Sequence, residues 1–88
     1  MNTKHDQIRH IQTVTDLGRM VREHRKDKGL TQDVAASLAN VSTNFLSDFE
    51  NGKPTAEIGK ILHMLTTLGI ELYAAPRGVL GKKIKDSR

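Results

Sequence analysis

Residues 30–53 read Leu-Thr-Gln-Asp-Val-Ala-Ala-Ser-Leu-Ala-Asn-Val-Ser-Thr-Asn-Phe-Leu-Ser-Asp-Phe-Glu-Asn-Gly-Lys, and this stretch decides the fold. Thr31 supplies a hydroxyl N-cap to a helix opening with Gln32 and Asp33. Ser42 does the same for a second helix that closes at Asn51-Gly52. Asn40 sits where the chain reverses, and Asn is among the few non-Gly residues that tolerate a left-handed backbone. Ala35, Ala36 and Ala39 keep the first helix slim, so the second crosses it closely, as in a helix-turn-helix. Val41, Leu46 and Phe49 then point inward, which leaves Thr43, Asn44, Ser47 and Asp48 outward.

The flanks read as more helix. Thr13 with Asp16 forms a capping box, so a helix is predicted over 14–28, stopping at Gly29, with Leu17, Met20, Val21 and His24 as its inner stripe. After Pro54, Thr55 is predicted to cap a helix whose Ile58, Ile61, Leu62, Leu65 and Leu68 recur at helical steps and which ends at Gly69. Ile70, Glu71, Leu72, Tyr73, Ala74 and Ala75 alternate at their start and meet Pro76-Arg77-Gly78, the pattern of one short strand. A lone strand cannot satisfy its own backbone, so a second copy is expected to pair with it across a two-fold axis. A packed or disordered C-terminal arm is the alternative. The expected fold is therefore all-α, with one short C-terminal strand pairing in a dimer. Residues 1–12 form a lead-in with isolated Ile8 and Ile11, residues 13–75 the domain, and residues 76–88 a basic tail expected to be disordered.

At 88 residues the chain holds one small domain, marginal alone, to which dimerisation would add burial. Its net charge of +4 and pI of about 9.7 favour an anionic partner. The absence of cysteine fits a reducing compartment. No apolar run approaches membrane-spanning length and no secretory signal opens the chain, so a cytoplasmic, nucleoid-associated protein without a membrane partner is expected. His5, His10, His24 and His63 are scattered without ligand spacing, so neither metal nor catalysis is expected. No cofactor is expected either, and an enzyme reading has no residues to stand on.

The outward face of the second motif helix suits base edges. Asn44 can pair bidentately with adenine, Thr43 can meet a thymine methyl, and Ser47 and Asp48, a turn later, can reach neighbouring edges or a cytosine amino group. The rival reading is four solvent-facing polar residues on a helix without Lys or Arg. Phe45 has two readings as well: it covers a methyl in the groove, or it packs at the motif's edge.

Leu30-Thr31-Gln32, Ala36, Val41-Ser42 and Glu50-Asn51-Gly52-Lys53 resemble, at their combined spacing, the signature of the Xre/Cro family of repressors with a lambda-repressor-like fold. Asn40 replaces the usual turn glycine, and Ala35 stands where a larger aliphatic residue is common, for which Val34 and Leu38 are expected to supply apolar area. The resemblance implies phosphate contacts from Gln32, Ser42, Lys53 and the backbone near Asn51, and an internal ion pair between Arg25 and Glu50. The run Ser47-Asp48-Phe49-Glu50-Asn51 with the downstream Leu-Gly-Ile-Glu-Leu is similar to HipB-type antitoxins. That likeness implies a dimer on a palindromic operator, a HipA-type serine/threonine kinase toxin as partner, and repression of the operon encoding both. A free-standing Xre-family repressor, the antitoxin of a ribonuclease toxin, and an interaction module on a vestigial DNA-binding fold are the alternatives.

Overall fold

The computed structural model describes residues 8–54 and 57–79, and these carry four helices, α1 (Val14–Asp27), α2 (Gln32–Leu38), α3 (Thr43–Glu50) and α4 (Ile58–Thr67). α1 opens in the predicted capping box: Asp16 N–H donates to Thr13 Oγ1 at 3.0 Å, and Thr13 N–H donates back to Asp16 Oδ2 at 3.2 Å. Gln12 N–H also donates to Asp16 Oδ2, at 3.0 Å. That backbone donor is the main reason the Asp16 carboxyl lies below its ordinary value of 3.8, with partial desolvation opposing it and Thr13 assisting. A lowered carboxylate stabilises the fold above its unfolded value, and that contribution is lost as pH falls through the folded one. Thr31 and Ser42 cap α2 and α3 as read from the sequence, accepting from Val34 N–H at 3.1 Å and Phe45 N–H at 3.0 Å.

All four helices stop in one hydrogen-bonded motif. The second residue past each cap donates back to the third-last helical carbonyl: Leu30 to Arg25, Val41 to Ala36, Lys53 to Asp48 and Ile70 to Leu65. The motif needs a left-handed residue between, and in the turn from α2 to α3 Asn40 supplies it at φ 57°. α1 ends one residue before its predicted limit, with Lys28 as cap.

The core gathers Val21 of α1, Ala35, Ala36 and Ala39 of α2 and its cap, Leu46 and Phe49 of α3, and Ile61, Met64, Leu65, Leu68 and Ile70 of α4 and its exit. Leu17, Met20, Val41 and Phe45 pack at its edge. Two expectations fail here. Val34 and Leu38 do not replace the missing bulk at Ala35: they stay 47% and 57% exposed, because about 100° per residue turns them away from the stripe that the alanines occupy. On α4, Ile58 and Leu62 are exposed at 62% and 44%, and only Ile61, Met64, Leu65 and Leu68 face inward. α4 starts at Ile58 with Glu57 in the cap position and no side-chain cap bond, while Thr55 lies outside the described residues.

Residues 70–75, predicted as a strand, form no strand among the described residues: Ile70 N–H donates to the Leu65 carbonyl in the stop of α4, and residues 71–75 make no backbone hydrogen bond there. No described helix is long and apolar enough to cross a membrane.

A contact that the sequence did not reveal sets the spacing of α1 on α3. A Cβ at Gly18 would lie 2.1 Å from the Phe49 carbonyl oxygen, so only glycine fits. Gly59 in α4 has nothing within 4 Å of its would-be Cβ. Gly18→Ala should therefore cost about 1–3 kcal/mol by overpacking, whereas Gly59→Ala should be neutral or stabilise by up to about 1 kcal/mol. Urea unfolding of the two variants beside the parent measures both. Equal midpoints would dismiss the close approach as a constraint.

Candidate nucleic-acid interface

One buried ion pair joins α1 to α3, and the start of α2 bonds to it. Arg25 in the last turn of α1 donates from Nε to Glu50 Oε2 at 2.6 Å and from Nη2 to Glu50 Oε1 at 2.9 Å, and its Nη1 reaches the Leu30 carbonyl at 2.7 Å. Gln32 Nε2, at the start of α2, donates to the same Glu50 Oε1 at 3.1 Å. The side chains of Arg25 and Glu50 are 7% and 1% exposed. Hydrogen bonding to Glu50 holds the Arg25 guanidinium above its ordinary value, against the desolvation that opposes it. The ends of α1 and α3 and the start of α2 thus meet at one carboxylate, and the linker carbonyl of Leu30 is held by the same guanidinium.

The outward face of α3 is polar, and its four named residues differ in freedom. Asn44 is exposed, and its side chain makes no hydrogen bond or ion pair among the described residues. Ser47 is half-buried. Thr43 Oγ1 donates at 2.8 Å to Asp33 Oδ1 of α2, so its proton is committed and its methyl and lone pairs remain. Asp48 Oδ2 lies 3.6 Å from Lys53 Nζ, a surface pair worth at most about 1 kcal/mol. The bond between Asp33 and Thr43 has no one-dimensional signal, because the turn at Asn40 is what brings the two together.

The residues assigned to phosphate lie around this face. Ser42 caps α3, Asn51 ends it, and Gln32 keeps its second amide N–H and its carbonyl after serving Glu50. Lys53 follows Gly52, at φ 84°, where a Cβ would meet Thr15 Oγ1 at 2.5 Å. That close fit anchors the end of α3 to the start of α1. Phe45 takes the packing reading: it is half-buried against the core, with Lys60 Nζ of α4 5.8 Å from its ring centroid. Among the described residues no group of three or more His, Cys, Asp or Glu could hold a metal ion.

A polar helix face presented over a slim neighbour and fixed from behind by buried charge is the arrangement that defines a helix-turn-helix domain of the Xre/Cro class. Residues 16–74 match the family described as helix-turn-helix domain, and the chain belongs to it. Over 62 residues it is 48% identical to the uncharacterized HTH-type transcriptional regulator y4mF of Sinorhizobium fredii (strain NBRC 101917 / NGR234), covering 70% of this chain and 82% of that one. A chain of the HipA-HipB-O2-O3 complex superposes with a TM-score of 0.71 at 20% identity, covering 80% of this chain and 99% of that one, which is a likeness of fold. The restriction-modification controller protein C.AhdI from Aeromonas hydrophila superposes at 0.60 with 31% identity, over 66% of this chain and 88% of the other.

The Arg25 and Glu50 pair has a measurable consequence. Arg25→Ala or Glu50→Ala alone should destabilise by about 3–5 kcal/mol, since each strands a buried charge. The double substitution should cost less than the sum. A double-mutant cycle in urea that came out additive would dissolve the coupling.

Proposed function

We propose that the protein is an antitoxin and autorepressor that binds a palindromic operator as a dimer in the cytoplasm and neutralises a HipA-type serine/threonine kinase toxin. The observation that carries the DNA reading is the free, exposed Asn44 near the start of α3, flanked by Thr43 and Ser47 and bordered by Gln32, Ser42, Asn51 and Lys53. Two α3 helices in adjacent major grooves would read bases through Thr43, Asn44, Ser47 and Asp48. The paired Asp48 and Lys53 would part on docking, the lysine to a phosphate and the carboxylate to a cytosine amino group. Pairing of Ile70, Glu71, Leu72, Tyr73 and Ala74 with their mates would close the dimer.

The toxin part rests on fold likeness to HipB chains, including those of the HipB-O4 20mer complex, at 20% identity. A plain regulator without a toxin is the second reading, favoured by the higher identity to the controller protein C.AhdI. The genomic neighbour separates them. Co-expression with a neighbouring kinase should give a stable complex and suppress that kinase's growth inhibition. A neighbour that encodes no toxin, with pull-downs that recover DNA and no kinase, leaves the plain regulator standing.

The base and phosphate assignments diverge in solution. Asn44→Ala should relax sequence preference at one operator position by about 1–3 kcal/mol. Lys53→Ala should weaken operator and random DNA alike and make log Kd against log salt shallower by about one. Binding titrations across salt concentrations test this, and an equal loss on both DNAs from Asn44→Ala would remove α3 from the readout.

A further inference from the structure

The N-terminal segment 8–12 and the C-terminal segment 70–78 lie side by side and enclose a groove of about 1180 Å3 floored by Leu17 and Met20 of α1. Arg9 is tied to Glu23 of α1, and Gln12 to Asp16, so the N-terminal wall is fixed at both ends. The groove is lined by exposed apolar side chains: Ile8 is 57% exposed, Leu72 48% and Tyr73 66%. Residues 8–11 and 71–75 make no backbone hydrogen bonds among the described residues, with each other or with anything else. Two adjacent segments with open backbones and an apolar floor are the requirements for adding a strand.

We propose that the 8–12 and 70–78 segments are the two walls of a docking groove that receives the 70–75 segment of a second copy, which makes the N-terminal segment a working part of the dimer contact. This rests on the dimer reading above and extends it to residues outside the strand. Three features select a second copy as occupant. A two-fold contact uses the same patch on both chains, so 70–75 serves as wall in one protomer and as insert in the other. The insert supplies the backbone donors and acceptors that the walls lack, together with Leu72 and a tyrosine ring for the floor. Its one charged residue is Glu71, while the walls bring Arg9 and Arg77 against their own Glu71, so the insert's carboxylate meets a lining with a surplus of positive charge.

The chain has no cysteine, which makes a cross-linking test clean. Ile8→Cys and Tyr73→Cys are made on separate full-length chains, mixed, and treated with a bismaleimide. A cross-linked heterodimer is expected, well above the yield of Ile8→Cys with Leu38→Cys, whose site is exposed and lies outside the groove. Sedimentation should show Ile8→Asp weakening the dimer at least tenfold with an unchanged helical spectrum, because Ile8 is not in the core. Leu72→Pro, which removes a backbone donor, should dissociate the dimer. If Leu72→Pro leaves the dimer intact, the strand reading falls and this proposal with it. If Leu72→Pro dissociates the dimer while Ile8→Asp leaves Kd within twofold and the cross-link stays at control yield, only the role of the N-terminal wall is overturned.

Discussion

The Glu50 carboxylate is the point on which the rest of the structure depends. It is nearly sealed from water, and a charge in that position is tolerable only when its hydrogen-bonding sites are met. Arg25 meets two of them in a fork that fixes direction as well as distance, and Gln32 adds a third. Against well-packed apolar residues such a pair contributes little net stability. Its contribution is angular: a slip of α3 along α1 would cost apolar contact only gradually, whereas it would break the fork at once. The pair therefore fixes which residues of α3 face out.

Close packing makes that geometry reachable. Gly18 lets α1 lie against the Phe49 carbonyl, and the three buried alanines let α3 cross α2 without a side chain between them. Gly52 closes the far end against Thr15. The apolar residues of α3, Phe45, Leu46 and Phe49, are all used on the inner side, so the outer face is left polar by subtraction. Within that face the hydroxyl of Thr43 and the carboxylate of Asp48 already have partners, and Asn44 does not. The side chain with the least to give up on docking is the one with the most bidentate potential toward a base.

Local chemistry made most of the fold legible. The hydroxyl caps at Thr13, Thr31 and Ser42 and the stops at Gly29, Asn40, Gly52 and Gly69 are decided within a few residues of themselves, and a sequence shows them directly. The ion pair between Arg25 and Glu50, 25 residues apart, was legible only through family likeness. Gly18 was missed because its glycine answers to a backbone on another helix, and Asp33 with Thr43 because their meeting follows from the turn. Val34, Leu38, Ile58 and Leu62 were misplaced for the opposite reason: periodicity marks apolar residues but does not say which fraction of a broad stripe a small core can hold.

Those misplaced residues carry a physical consequence. A chain of this size buries little apolar surface on its own, and among the described residues three of the eleven buried apolar ones are alanine. Ile58 and Leu62 on α4 remain exposed, as do Leu72 and Tyr73 after it, on a segment 71–75 whose backbone pairs with nothing among the described residues. α1 is the element common to both regions. Its first turns floor the groove beside that backbone with Leu17 and Met20, and its last turn holds Glu50 through Arg25. α1 is also a single fourteen-residue helix, tied at its N-terminus by the capping box and at its C-terminus by the ion pair. Whatever covers the groove therefore bears on a rigid rod whose other end orients α3, and a two-fold contact there would fix the separation of two recognition helices through packing rather than through a flexible linker.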